Sequence, residues 1–353
     1  MKKNNFFIWV TDIYSNTGEG RLGFSFIKKL NKICKIDFEI QTNETKYDNY
    51  KIFEKKVKNY NFKKSNFSLN QRYLIFLKGI IYLWINYIRG KRVIYINYLP
   101  LWNFFIFILC PPNTIFGPIT GSSIRIIGRK HIFEKFIRNN IFPLFYFVSV
   151  IFLKIRNSNY FFSTSLLNNN TTKLIQNNSI FNVQLLFLKK NEFKSKKIYD
   201  LIVYNRKHSN KNKINLKNIF KKKVYNNFKI LCLGEKIRLK NIKNLGFISN
   251  KKLIKYLKKT KYGIISEENL YSFFFFDLVY AGTEPIISKK IKYDKNLVKI
   301  CNENTIDFNN EKNFSKKLVF VLKNKKNKRI NIKHNLIKKI SNKFESRLIR
   351  LIK

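Results

Sequence analysis

The chain has 353 residues, room for two domains at roughly 100–200 residues each. Lys and Arg number 71 against 20 Asp and Glu, a formal charge of +51, while 45% of the residues are hydrophobic and 16% aromatic. So much apolar material excludes wholesale disorder, and four scattered cysteines (34, 110, 232 and 301) with no C-x-x-C pair exclude a disulfide scaffold or zinc ribbon and fit a reducing compartment.

The N-terminus opens with Met1-Lys2-Lys3-Asn4-Asn5 and an apolar run over 6–10. That run stops at Thr11-Asp12, too soon for the apolar core of an export signal. It reads instead as a buried parallel strand. Asn16-Thr17-Gly18-Glu19-Gly20-Arg21-Leu22-Gly23 then reads as a Gly-bearing turn, followed by helical spacing to about Ile33 and a second strand over 35–42. This is a βαβ opening. An apolar helix is predicted over 71–88.

Residues 93–124 carry no charge, but Asn97, Pro100, Asn103 and Pro111-Pro112 interrupt them. The longest proline-free part, 101–110, is well short of the ~20 residues of a membrane-crossing helix. The pattern predicts a strand over 92–99, a short buried helix and a strand over 114–117. A helix over 131–156, bent at Pro143, leads to strands over 160–163 and 181–187. A second greasy stretch, 144–153, is closed by Lys154 and Arg156.

The Lys-rich stretch 189–197 reads as a linker, after which the alternation restarts. Strands are predicted over 201–204, 228–233, 244–248, 262–266 and 285–288, with helices over 214–220, 251–259 and 272–281. Two successive βα halves predict an α/β protein of two Rossmann-like, doubly wound domains facing a cleft, over 1–190 and 198–353. Ligands of such sheets bind where strands end, so residues just past each strand are the candidates.

Four places, in order, resemble the GT-B-fold glycosyltransferases, most nearly glycosyltransferase family 4. The first is the strand and Gly-bearing turn at 16–23. The second is Phe116-Gly117-Pro118-Ile119-Thr120-Gly121, similar to a G-P-x-x-G turn of some members. The third is Leu201-Ile202-Val203-Tyr204-Asn205-Arg206 with Lys211 five positions on. The fourth runs from Ser266-Glu267-Glu268-Asn269 to Asp277-Leu278-Val279-Tyr280-Ala281-Gly282-Thr283-Glu284-Pro285. Gly246-Phe247-Ile248-Ser249 matches a further step of the family, before a donor-side helix.

The resemblance implies a nucleotide-sugar donor and a lipid-linked or polysaccharide acceptor, with retention of configuration and no cofactor. It implies that Gly18, Gly20, Gly117 and Gly121 line the substrate loops and that Arg206 and Lys211 neutralise the diphosphate. Asp277 stands where the family has the Glu that holds the ribose. Asn269, with Glu267 and Glu268 beside it, falls at the sugar-facing Glu. The extra residue in Gly282–Pro285 and the Glu-Asn pair are closer to family 10 fucosyltransferases, but Phe273 and Phe274 replace the Glu-Lys pair of that family.

The residues also admit plainer readings. The glycines serve turns in general. A Ser-Glu-Glu sequence caps a helix. A carboxylate amid Phe273–Phe276 and Leu278-Val279 is either buried and paired or lining a site. His131 reads as a solvated helix-end histidine or a contact for the donor sugar. Three histidines and four cysteines show no metal-ligand spacing, so no metal is expected.

The charge is spread along the chain, and the favoured Lys, Asn, Ile, Phe and Tyr have A/T-rich codons. A low-GC genome accounts for it, and no specific nucleic-acid partner is expected. An anionic membrane surface is, since each nearby Lys or Arg adds up to about 1 kcal/mol. The expected location is cytoplasmic, peripheral on the inner face of the plasma membrane.

Overall fold

The structure is a computed structural model that describes residues 6–11, 18–34, 38–42, 60–62, 75–120, 133, 136–163, 167, 171–181, 183, 195–205, 215–265, 272–288, 304–308, 310–323 and 334–352. Its residues divide into two compact units. The described residues before 187 form the first, together with those from Ser341 onward, and residues 195–340 belong to the second.

In the first unit the elements are β1 (Phe6–Val10), α1 (Gly18–Cys34), β2 (Phe38–Thr42), β3 (Tyr60–Phe62), α2 (Ile75–Ile88), β4 (Arg92–Pro100), α3 (Phe104–Leu109), β5 (Ile115–Thr120), α4 (Phe142–Arg156), β6 (Tyr160–Phe162), α5 (Lys173–Asn177) and β7 (Ser179–Ile180). The strands pair in the order β3-β2-β1-β4-β5-β6-β7, all parallel. Central β1 is buried at every residue. That is why an unbroken apolar run, rather than an alternating one, encodes it.

Trp9 shows how tightly the layers close. Its ring stacks on Tyr82 of α2 at 5.7 Å, and a Cβ placed on Gly79 would lie 2.3 Å from its Nε1. Its indole nitrogen finds no acceptor among the described residues.

In the second unit are β8 (Tyr199–Asn205), α6 (Leu216–Phe220), β9 (Ile230–Gly234), β10 (Ile242–Gly246), α7 (Asn250–Lys258), β11 (Thr260–Ile264), α8 (Phe273–Ala281), β12 (Glu284–Ser288), β13 (Asn304–Ile306) and α9 (Glu311–Lys323). The order is β10-β9-β8-β11-β12-β13, again all parallel. Both sheets therefore reverse direction once, at β1/β4 and at β8/β11, the doubly wound arrangement in which ligands sit at the carboxyl ends beside the reversal.

Helix α10 (His334–Ile352) starts in the second unit, and its last turns group with the first. A division at 190–198 alone leaves this return out. Glu345 pairs with Lys29, Arg92 donates to the Ile352 carbonyl at 2.7 Å and Asn159 to that of Leu351 at 2.6 Å. Leu348 and Ile352 are fully buried. Among the described residues no helix is long and apolar enough to cross a membrane.

Four expectations need correction. Gly18, Gly20 and Gly23 belong to helix α1 rather than to a turn. Glycine weakens a helix by about 1 kcal/mol relative to alanine, but burial of Leu22, Phe26, Ile27 and Leu30 on one face outweighs that. Phe116 to Thr120 form strand β5 instead of a G-P-x-x-G turn. Of the strand expected over 181–187, residues 181 and 183 are described and neither is strand: the strand of this region is β7 at Ser179–Ile180, and Phe181 stacks on Phe162 at 4.8 Å. The distortion expected at Pro143 falls just before it, in a π-helical turn at Ile137–Ile141. Pro143 itself sits at the start of α4, directly after that turn, where its missing N–H interrupts the regular helical ladder.

On helix propensity alone Gly79→Ala would stabilise the protein; against the Trp9 ring it is expected to destabilise it by about 1–3 kcal/mol. Chemical denaturation of Gly79→Ala, Trp9→Phe and the double variant measures this. A coupling that recovers part of the loss in the double variant is the expected result, and a stabilised Gly79→Ala would refute it.

Candidate functional site

Two candidate stretches start where the reversal of the second sheet predicts. Residue 206 follows Asn205, the last residue of β8, and residues 266–269 follow Ile265, just past β11. Arg206, Lys211, Glu267, Glu268 and Asn269 themselves lie outside the described residues, as do Gly121 and His131.

What is described is the frame around those stretches. The carboxyl ends of β8 and β9 are stitched together: the Asn205 carbonyl accepts the Glu235 N–H at 3.0 Å, and Asn205 Nδ2 donates to the Glu235 carbonyl at 3.1 Å. Gly234, between them, has φ +79°, and a Cβ there would stand 2.3 Å from the Asn205 oxygen, so only glycine serves. Cys232 donates to the same Glu235 carbonyl at 3.3 Å, and burial pushes its thiol up to about 11, which removes it as a nucleophile near neutrality. At the end of β10, Gly246 is followed by Phe247, which is 77% exposed.

Helices α7 and α8 start with side-chain caps. Ser249 accepts from the Lys252 N–H and Ser272 from the Phe275 N–H. Phe274, Phe275 and Phe276 are buried as helix core, and Phe274 meets Tyr204 of β8 edge-on at 5.7 Å.

Asp277 is in the second turn of α8, 7% exposed, where the resemblance would have it open the helix. Asn250, first residue of α7, donates to its Oδ2 at 3.2 Å. The carboxylate is thus buried and hydrogen-bonded, on an element that follows a reversal strand. The sequence points to Asp277 by its distance from Gly282. It does not point to Asn250, whose only local signal is the Ser-Asn pair at a helix start.

Gly282 closes α8 in the left-handed conformation, and Lys197 donates to its carbonyl at 2.7 Å. A cation at a helix C-terminus is favourable, but burial pulls this ammonium down to about 8. The end of the predicted linker is therefore docked on the second unit.

In the first unit, Asn97 Nδ2 donates to Thr11 Oγ1 at 2.8 Å beside the β1/β4 reversal. Gly18 opens α1 and Gly20 is buried in its first turn. Gly117 lies in the middle of buried β5, where a Cβ would come within 2.4 Å of Phe161 Cβ. Packing of β6 explains that glycine. A cavity of about 690 Å3 lies at the other end of the sheet, lined by Arg92, Ile115 and Asn159 among others. Among the described residues no three His, Cys, Asp or Glu side chains cluster as metal ligands would.

No protein-family model and no curated protein matches the chain. Solved structures do. It is similar to the sucrose-phosphate synthase of Thermosynechococcus elongatus, at 8% identity and TM-score 0.64, over 99% of this chain and 98% of that one. It is similar to a glycosyltransferase from Rickettsia africae ESF-5, at 14% and 0.57, over 99% and 94%. It is also similar to the UDP-GlcNAc 2-epimerase of Methanocaldococcus jannaschii, at 11% and 0.50, over 96% and 99%. At such identities the likeness shows the fold, an α/β chain of two Rossmann-like units of the GT-B type, and a fold does not choose its chemistry.

Lys197 gives this frame a pH signature. Its folded value lies below the ordinary 10.5, so between about pH 8 and 10.5 the unfolded chain holds a proton that the native one has lost. The contribution of Lys197 to stability therefore rises with pH across that window. Denaturation of wild type and Lys197→Met from pH 7 to 11 should show the difference between them shifting toward wild type; a constant difference would refute the assignment.

Proposed function

We propose that this chain is a glycosyltransferase that moves a sugar from a nucleotide-diphosphate donor to a lipid-linked or polysaccharide acceptor. The observation that carries the reading is Asp277, a carboxylate held by Asn250 in the frame beside the β8/β11 reversal, five residues before Gly282. A carboxylate accepts the hydrogen bonds that the paired hydroxyls of a ribose donate. Two of the similar structures bear the names of sugar-transferring enzymes and the third that of an enzyme acting on a nucleotide sugar.

In this reading Arg206 and Lys211 face the diphosphate. The bond from the sugar's anomeric carbon to the diphosphate breaks, a bond from an acceptor oxygen forms, and negative charge gathers on the leaving group. Fixed cations stabilise that charge in the transition state, so no metal is needed. Glu268, with Glu267 and Asn269 on either side, faces the donor sugar, and anomeric configuration is retained. Gly18 and Gly20 place the start of α1 toward the substrate, Gly121 follows β5, and His131 contacts the sugar. Phe247 offers an exposed ring past β10. No cofactor beyond the nucleotide sugar takes part.

A thermal-shift panel of nucleotide sugars at moderate salt tests the reading, on wild type, Arg206→Ala and Asp277→Asn. Binding at a hundred times Kd stabilises the native protein by about 2.7 kcal/mol. The expected result is a rise in Tm with one nucleotide class, lost in Arg206→Ala and reduced in Asp277→Asn, and transfer of labelled sugar to an acceptor extract. Epimerised donor without transfer would make the chain an epimerase. A flat panel with steeply salt-dependent binding to RNA would make it a non-catalytic basic protein acting by charge alone.

A further inference from the structure

Helices α2, α3 and α4 lie side by side over one face of the first sheet. Trp84 of α2 donates to the Leu109 carbonyl of α3 at 2.8 Å. Phe104 of α3 meets Phe145 of α4 at 5.3 Å, and Arg156 at the end of α4 donates to the carbonyls of Ile108 and Pro111 at 2.7 and 2.6 Å. Their inner residues, Leu83, Phe107 and Leu153 among them, share one core.

A helix that covers a sheet ordinarily turns polar residues outward. These three turn apolar ones. Ile81 and Ile88 stand two turns apart on α2, Phe105 on α3, and Phe147, Ile151 and Ile155 at steps of four on α4, with Ile88 78%, Ile155 71% and Phe147 63% exposed. Because the helices touch, the three stripes lie on neighbouring elements, where soluble proteins ordinarily expose only scattered apolar residues.

Charge identifies the occupant. Between Glu54 and Glu192 the sole acid in the sequence is Glu134, whereas Arg89, just past α2, and Lys154 on α4 are exposed. A second copy of this chain would bring cation against cation. An anionic bilayer supplies both the apolar layer and the countercharge. We propose that this three-helix face seats the protein on an anionic membrane surface, its stripes lying in the plane of the interface and its basic side chains at the headgroups. The proposal is independent of the catalytic reading.

Co-sedimentation with vesicles of phosphatidylcholine alone, and of equal parts phosphatidylcholine and phosphatidylglycerol, tests it. Three proteins are compared: wild type, the charge-preserving Ile88→Ser/Phe147→Ser/Ile155→Ser, and Lys251→Gln/Lys252→Gln/Lys255→Gln on α7 of the second unit. Circular dichroism and Tm confirm that each is folded. Wild type and the α7 variant are expected to bind the anionic vesicles at moderate salt, and the three-helix variant on the order of tenfold or more weaker. Equal binding of the serine variant and wild type would overturn the proposal in favour of adhesion by charge. So would a wild type that ignores vesicles and sediments as a dimer that the serine variant dissociates.

Discussion

Every strand pairing in both sheets is parallel, and a parallel sheet must be covered on both faces. This one constraint orders the molecule. It makes β1 apolar at every residue, places helices between most of the successive strands described, and puts all the strand carboxyl ends of a unit at one edge. The single reversal in each sheet then marks the place at that edge where such sheets bind their ligands. Asn205, Gly234 and Glu235 are the finish of that edge in the second unit, and Asp277 lies on the helix that follows β11, bonded to Asn250 at the start of α7. The candidate site is thus a product of chain topology before it is a product of side-chain chemistry.

The same constraint decided what could be read from the sequence. Buried parallel strands are short apolar runs between polar turns, so β1, β4, β8 and β11 were legible, and with them the two βα halves. Packing between elements was not. Gly18, Gly20 and Gly23 look like a turn because local glycine chemistry cannot reveal that Leu22 to Leu30 bury a helix face. Gly117 looks like half of a motif, whereas Phe161, more than forty positions away, explains it. Among the site candidates, Asp277 could be located by counting back from Gly282. Its partner Asn250 could not, since a hydrogen bond between two helices leaves no pattern along one chain.

Acidic residues are scarce here, and several of those described are engaged. Asp200 takes the Lys261 ammonium at 2.8 Å and the Lys229 N–H at 2.9 Å, while Glu39 pairs with Lys91 and Glu345 with Lys29. These pairs are partly exposed, and surface pairs add only about 0–1 kcal/mol each. Their number leaves most of the positive charge unbalanced, and that remainder acts as a field over the whole surface. The three apolar helices of the first unit give a field without direction a particular face.

The return of α10 has a consequence for how the protein is made. Arg92, Asn159 and Lys29 take their partners from residues 345–352, which are translated only after all of the second unit. During synthesis the second unit can close its own sheet as soon as α9 emerges, while the first, although started earlier, waits with part of its core uncovered. Order of birth and order of completion are therefore reversed: the N-terminal unit is finished last.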